Sequence, residues 1–361
     1  MFETVIARDK LLNPLSFVVG VTEKKNLMPY LANVLLYFGK ESYTYATDLE
    51  ISAIAKVDHE TPEETFILVN AKKFYDALRE MERGDIFLTV TESLLIVRQE
   101  NTEFALTLYH HDDFPELKPL NPETKFQIRG RELLDVLDSI SFAMATDQSR
   151  PVLCGAFLKP ESERFTIVAT DGFRMAVRRV PLSGVEPFPG VIVPLRAIKE
   201  LEKTIPEEEN VVIEIEKSQV CFRTSSATII SRTVEGKYPD YEAAIPKNYK
   251  IRATFEKVHF QRALKRVSAL LGRNEPIRIL FLSDGIELSS RSQEGTAKEV
   301  IPARLEGKSK DFYFNVRYLM DAASRARGDM ITIELPEDFG AILLEDSSEK
   351  DYVNVIMPVK M

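Results

Sequence analysis

Phe66-Ile67-Leu68-Val69-Asn70-Ala71 joins a short apolar run of strand character to an amphipathic helical segment that extends from Ala71 to about Met81. The same step occurs twice more. Val191-Ile192-Val193 leads into a helical segment from Leu195 to about Thr204, and Phe312-Tyr313-Phe314 into one from Val316 to about Ala326. The helix starts at 71, 195 and 316 lie 124 and 121 residues apart. A second step of this kind precedes each of the three. Phe2–Ile6 leads to Leu11–Val18, Phe126–Ile128 to Glu132–Phe142, and Ile251–Phe255 to Val258–Leu271. Self-similarity at a fixed long period marks a chain assembled from copies of one unit.

Other landmarks keep this register. Ala46-Thr47-Asp48 returns as Ala169-Thr170-Asp171, and Asp113-Phe114-Pro115-Glu116-Leu117 as Lys237-Tyr238-Pro239-Asp240-Tyr241. Proline-containing stretches at Lys118–Glu123 and Ile245–Tyr249 separate the copies, which places three domains at 1–120, 121–246 and 247–361. After the helices come runs that alternate apolar and polar residues: Asp85–Thr91 and Leu94–Gln99, Val211–Glu216 and Gln219–Thr224, Ile331–Leu335 and Ala341–Leu344. A period of two is the signature of half-buried antiparallel strands. Each copy is therefore expected to be α+β, with a sheet polar on one face and two helices covering the other.

Composition narrows the function classes. The chain has 361 residues, 44% hydrophobic and 29% charged, ordinary for a globular protein. Its longest uncharged stretch, Leu27–Gly39, is too short to span a bilayer. Met1-Phe2-Glu3-Thr4-Val5 lacks the basic region and apolar run of a signal peptide. Two cysteines, Cys154 and Cys221, are too few for a disulfide framework or a cysteine zinc site, and a reduced, cytoplasmic compartment fits. With 47 Lys/Arg against 56 Asp/Glu the net charge is −9, which taken alone argues against a nucleic-acid partner.

Catalytic signals are missing. There is no glycine-rich phosphate loop and no dinucleotide-binding fingerprint. The histidines His59, His110, His111 and His259 show no metal spacing. His110 and His111 are adjacent, and neighbours in a strand point to opposite faces. Cys154 reads as a small buried hydrophobe. Asp48 and Asp171 could be paired carboxylates of an enzyme, but both stand at one register of the repeat and read better as one structural job done twice. No cofactor or metal is expected.

Charge distribution says more than charge. The helical segments 8–18, 70–83, 129–139, 195–204, 256–273 and 315–328 hold 19 Lys/Arg and 11 Asp/Glu, so the basic excess sits on the helices and the acidic excess elsewhere. A positive helical face would hold phosphates without reading sequence. At the other end, Val355-Ile356-Met357-Pro358-Val359-Lys360-Met361 is apolar where a free tail would be polar. It reads either as an edge strand of the third sheet or as the lining of an apolar protein-binding groove.

Several stretches together resemble the bacterial sliding clamp family, the β subunit of DNA polymerase III, over essentially the whole chain. They are Pro29-Tyr30-Leu31-Ala32-Asn33, Ala46-Thr47-Asp48-Leu49-Glu50, Asp147-Gln148-Ser149-Arg150-Pro151-Val152-Leu153 and Ala169-Thr170-Asp171-Gly172-Phe173-Arg174-Met175-Ala176. Glu235-Gly236-Lys237-Tyr238-Pro239-Asp240-Tyr241, Phe314-Asn315-Val316-Arg317-Tyr318-Leu319 and Met357-Pro358-Val359-Lys360-Met361 complete the set. The resemblance implies a non-catalytic processivity factor: three tandem clamp domains, sheets outside and helices inside, in a head-to-tail homodimer that closes into a ring around duplex DNA. Tethering by topology raises the effective concentration of a bound polymerase at its template.

The resemblance also implies site residues. Phe104 and Leu106 would face Leu270 and Leu271 across the dimer interface. Lys24, Lys25, Gln148, Arg150, Arg196 and Lys199 would touch DNA. A pocket for a short, partly apolar motif of the polymerase, the clamp loader and repair proteins would fall on Leu153, Thr170, Gly172, Phe173, Arg174, Met175, Pro239, Asn315, Tyr318, Val355, Met357, Pro358, Val359 and Met361. The chain departs from its relatives at Glu242-Ala243-Ala244, where a basic residue and a larger aliphatic are common, and at Phe173, often His or Tyr. The loop at 272–276 is left without a pocket assignment. An enzyme using Asp48 and Asp171, or a scaffold that never meets DNA, are the competing readings.

Overall fold

The computed structural model describes residues 2–22, 28–117, 119–272 and 275–360. Its helices are α1 Arg8–Val19, α2 Ala71–Glu80, α3 Gly130–Ser141, α4 Leu195–Thr204, the single turn α5 Tyr241–Ala244, α6 Lys257–Val267 and α7 Val316–Arg325. Asn70 and Asn315 cap α2 and α7, their side-chain oxygens accepting from Lys73 N and Arg317 N, both at 3.0 Å. α1 buries Leu11, Leu15 and Val18, one stripe at helical spacing. α6 is shorter than the run Val258–Leu271 suggested. The Ser290 hydroxyl donates to Val267 O at 2.6 Å, and a 3-10 turn over Ser268–Leu270 follows.

The chain divides into two compact units, Met1–Leu134 with Arg196–Thr233, and Asp135–Leu195 with Val234–Met361. The division runs through the second repeat because its strands join two different sheets. Four of them (Thr124–Arg129, Asn210–Ile215, Gln219–Arg223, Ala227–Arg232) extend the first repeat's sheet to twelve strands. The other four lie in a nine-stranded sheet with Ile251–Glu256, Arg304–Glu306, Met330–Leu335, Ile342–Asp346 and Glu349–Ile356 of the third repeat.

The ladders make the repeat exact to the residue. The residue before each repeat's second helix starts the same path: Asn70 opposite Asn33, Leu35 opposite Tyr45, Ala46 opposite Ala53. In the second repeat the steps are Pro194–Gly155, Phe157–Val168 and Ala169–Ala176, and in the third Asn315–Pro276, Arg278–Ser289 and Ser290–Ala297. Ala53, Ala176 and Ala297 are therefore equivalent. Counting from the residue before each first helix makes Phe104, Ile229 and Asn354 equivalent in the same way.

Two junctions then follow one rule. Ala53 pairs with Ile229 where the first two repeats meet, and Ala176 with Asn354 where the last two meet, both antiparallel. Their counterparts are left at edges. Gly295–Pro302 ends the four-stranded sheet, and Thr102–Tyr109 pairs on its second side only through Leu108 and Tyr109.

Two expectations need correction. Glu349–Ile356 is an interior strand, paired on both sides, and only the residues after Ile356 leave the sheet. The expectation of one polar face also fails along Arg164–Thr170 and Tyr352–Ile356, which are buried almost throughout. Phe157, Tyr238 and Tyr241 cover the outer face there, with the Phe157 and Tyr238 rings stacked 4.9 Å apart. His110 and His111 follow their strand, and the His111 ring stacks on Phe66 at 5.3 Å.

Candidate peptide pocket and nucleic-acid face

The Asp-containing turns at the two junctions are built alike. Asp48 Oδ1 accepts from Glu50 N and Ile51 N, and Asp171 Oδ1 from Phe173 N and Arg174 N, at 2.7–3.0 Å. The preceding threonine hydroxyls close the turns onto Ile51 O and Arg174 O. These carboxylates hold backbone, which leaves the enzyme reading without its acid and base. The residue after each aspartate has positive φ, +74° at Leu49 and +90° at Gly172. A Cβ on Gly172 would also meet the Arg150 guanidinium at 2.7 Å, so glycine alone fits there without strain.

Around the second turn the structure gathers most of the pocket residues within one unit. Phe173 is 57% exposed, and its carbonyl accepts from Met357 N at 2.8 Å. Val359 N donates to Tyr313 O at 2.7 Å, which pins the tail beside α7. Phe173, Met357 and Val359 are exposed, whereas Met175, Val355 and Pro358 beside them in the chain are buried, Met175 and Val355 as ladder partners. Leu153 is buried in a 3-10 turn, whose carbonyl accepts from Ala145 N at 2.9 Å. Thr170 ties the turn, and Asn315 caps the helix that carries Tyr318. Met361 lies outside the described residues.

Beneath them Arg174, 9% exposed, spends its fork on three acceptors. Nη1 donates to Asp321 at 2.6 Å, Nε to Asp171 at 3.1 Å and Nη2 to Phe142 O at 2.5 Å. The guanidinium also lies 4.5 Å from the Tyr318 ring centre and 5.1 Å from that of Phe142. Pro239 stands apart, lining an open hollow of about 670 Å³ with Phe157, Lys159, Gly190 and Tyr241. Its neighbour Tyr238 packs in the apolar cluster that holds Met175 and Val355. Asp321 was not among the expected residues. Its place one turn after Tyr318 on an amphipathic helix is the signal that could have found it.

The expected DNA-touching residues have mixed fates. Lys24 and Lys25 lie outside the described residues. Gln148 and Arg150 are exposed, and Arg150 Nη2 donates to Asp171 O at 2.8 Å. Arg196 is ion-paired with Asp48 and donates to Val21 O at 3.0 Å, while Lys199 pairs with Glu202 at 2.7 Å. The six long helices carry 15 Lys/Arg and 9 Asp/Glu. On α6, Arg266 is paired with Glu299, whereas Arg262 and Lys265 are exposed without an ion pair among the described residues. Burial raises the thiol of Cys154, and pushes that of Cys221 up to about 12.

Three family profiles cover the chain in order: the DNA polymerase III beta subunit N-terminal domain at residues 2–118, its central domain at 127–240 and its C-terminal domain at 242–360. The chain belongs to the bacterial sliding clamp family. It is 28% identical to the beta sliding clamp of Staphylococcus aureus, covering 100% of both chains. The DNA polymerase III subunit beta of Pseudomonas aeruginosa superposes with a TM-score of 0.94 at 28% identity, with 100% of both chains covered. The sliding clamp of Bacillus subtilis gives 0.95 at 25% identity and 99% coverage of each. The function is that of a DNA sliding clamp, a non-catalytic processivity factor made of three tandem clamp domains, whose partners are DNA and the polymerase.

Proposed function

We propose that two copies close head to tail into a ring around duplex DNA, and that the junction rule inside the chain also joins the copies. Both internal junctions pair the Ala53-equivalent strand with the Phe104-equivalent strand. Continuing that rule sets Ala297 of one copy opposite Phe104 of the other. Lys298 then stands opposite Glu103, an opposite-charge cross-strand pair, and Gly295 opposite Leu106. Leu270 comes within 3.6 Å of a Cβ placed on Gly295, so Leu106 would arrive beside Leu270 and Leu271. A heterologous contact that closes removes both open edges. Lys298→Glu should weaken the dimer about tenfold in sedimentation, with Glu103→Lys in the same chain restoring it. Equal weakening by both variants together would exclude this register.

Within such a ring, domains bounded at 1–120, 121–246 and 247–361 turn the helices towards DNA, with Lys24, Lys25, Gln148, Arg150, Arg196 and Lys199 among the contacts. The polymerase, the clamp loader and other proteins bearing a short apolar motif dock at the pocket around Phe173, Tyr318 and Met357, in the cytoplasm. The observation that carries the pocket is the exposed apolar set Phe173, Met357 and Val359 held in place by backbone hydrogen bonds. Retention on nicked circular DNA, compared with the same DNA linearised, in the presence of a clamp loader, tests the ring. The clamp should stay on the circle and slide off free ends; equal retention on both would sink the reading.

A further inference from the structure

We propose that Asp321 is a positioning residue of the peptide pocket: it locks Arg174, and through Arg174 the ring of Tyr318, so that the pocket stands open before a peptide arrives. The inference rests on the pocket reading above and deepens it. A guanidinium as buried as Arg174 must have its charge and its donors matched. Asp171 matches it only in part, because Oδ1 of that carboxylate already holds the turn through Phe173 N and Arg174 N. Phe142 O accepts a hydrogen bond but carries no charge. The shortest contact to a carboxylate is the one to Asp321, at 2.6 Å.

Asp321 lies three residues after Tyr318 on α7, so the two side chains share a face. One guanidinium therefore carries an ion pair to the helix and a stacked contact to the aromatic ring of the same helix. Arg317 approaches the same carboxylate at 3.8 Å but is exposed, and it adds little. With Asp321 neutral, α7 loses its charged tie to the strand that begins at Arg174, and Tyr318 loses the plate on which it rests. The ordering cost would then fall on peptide binding.

The test is fluorescence polarisation on the full chain, with a fluorescein-labelled decapeptide from the C-terminal tail of the same organism's polymerase catalytic subunit. Asp321→Asn should raise the Kd about tenfold, and Asp321→Glu should stay within about threefold of the parent. A double-mutant cycle with Arg174→Lys should be non-additive, the double variant binding no worse than the weaker single. An Asp321→Asn clamp that binds within twofold of the parent, or an additive cycle, overturns the inference. If Asp321→Asn fails to fold, the cycle of Asp321→Ser with Arg174→Lys, which also removes the carboxylate, reads the same coupling. Deleting residues 357–361 separates the two claims. Binding that survives the deletion means the pocket is misplaced, whereas binding lost on deletion but indifferent to Asp321→Asn removes the positioning role alone.

Discussion

Where the first and second repeats meet, an arginine rises from a helix to the turn: Arg196 of α4 pairs with Asp48 and reaches Val21 O. Where the second and third repeats meet, the arginine comes from the strand instead, and Arg174 crosses to Asp321 of α7 and to Phe142 O. Arg317 and Tyr318 stand at the places of Arg196 and Ala197, counted from the helix starts. The counterpart of Asp321 is Glu200, which turns to Lys203 at 2.8 Å. Thus the first junction lays an arginine across its turn. The second buries its arginine against the Tyr318 ring and leaves Phe173 and Met357 exposed. Shared backbone with exchanged arginine donors thus gives the two junctions different surfaces, and only the second has the exposed apolar set of the proposed pocket.

The sharpest way to break this comparison is to remove each arginine. Arg174→Ala strands two carboxylates about a buried site and should cost about 3 kcal/mol in urea denaturation. Arg196 is 49% exposed, but its loss leaves the 4%-exposed Asp48 carboxylate with its turn amides alone. Arg196→Ala should therefore cost about 1–2 kcal/mol, less than Arg174→Ala because a half-exposed guanidinium loses fewer contacts. Equal costs would erase the distinction. Deletion of residues 357–361 should lower peptide affinity at least about 100-fold while sedimentation still reports a dimer, because most of the loss is apolar contact. Dissociation would place the tail at the wrong interface.

Smaller effects probe the turns. Gly172→Ala meets both the positive φ and the Arg150 guanidinium, and should cost roughly 1–2 kcal/mol. Leu49→Gly should change stability by less than about 0.5 kcal/mol, relief of strain being offset by unfolded-chain entropy. A pH effect belongs to the second repeat's hairpin. Arg164 hydrogen-bonds Glu161 at 2.8 Å and, with Thr166 and Lys159, holds its carboxyl at about 2 against an ordinary 4.5. A depressed carboxyl contributes stability above its unfolded value and loses it as pH falls through its folded one. Glu161→Gln should therefore cost up to about 1 kcal/mol at pH 7, solvent screening by the exposed Arg164 included, and the gap should close between pH 5 and 2. A gap that persists at pH 2 would assign the cost to packing.

The repeat was legible because every copy writes the same period into the chain: an apolar run, a cap and a stripe such as Leu11, Leu15 and Val18. Leu94–Gln99 and Leu195–Thr204 came out residue for residue. What the sequence hid was pairing between copies. Val355–Met361 reads as an edge strand because nothing local announces the partner strand that begins at Arg174, far back in the chain. The residues of the proposed pocket could be named from their motifs, but the burial of Arg174 among them could not. Arg174 meets Asp321 147 residues away, a contact set by how α7 docks and by no spacing in the chain. The net charge misled in the same way, since a sum discards where the charges lie.

In the proposed ring the edges Gly295–Pro302 and Thr102–Tyr109 would divide the seams into two kinds. At the internal junctions the paired strands stay tethered by a continuous chain, so a broken ladder re-forms at a rate independent of concentration. At the seams between copies nothing tethers them. In the proposed ring those seams would be the gates of the assembly, since dilution alone could keep them apart. A lone copy meanwhile presents exposed Val300 on a strand paired on one side only, a template for pairing with any other chain.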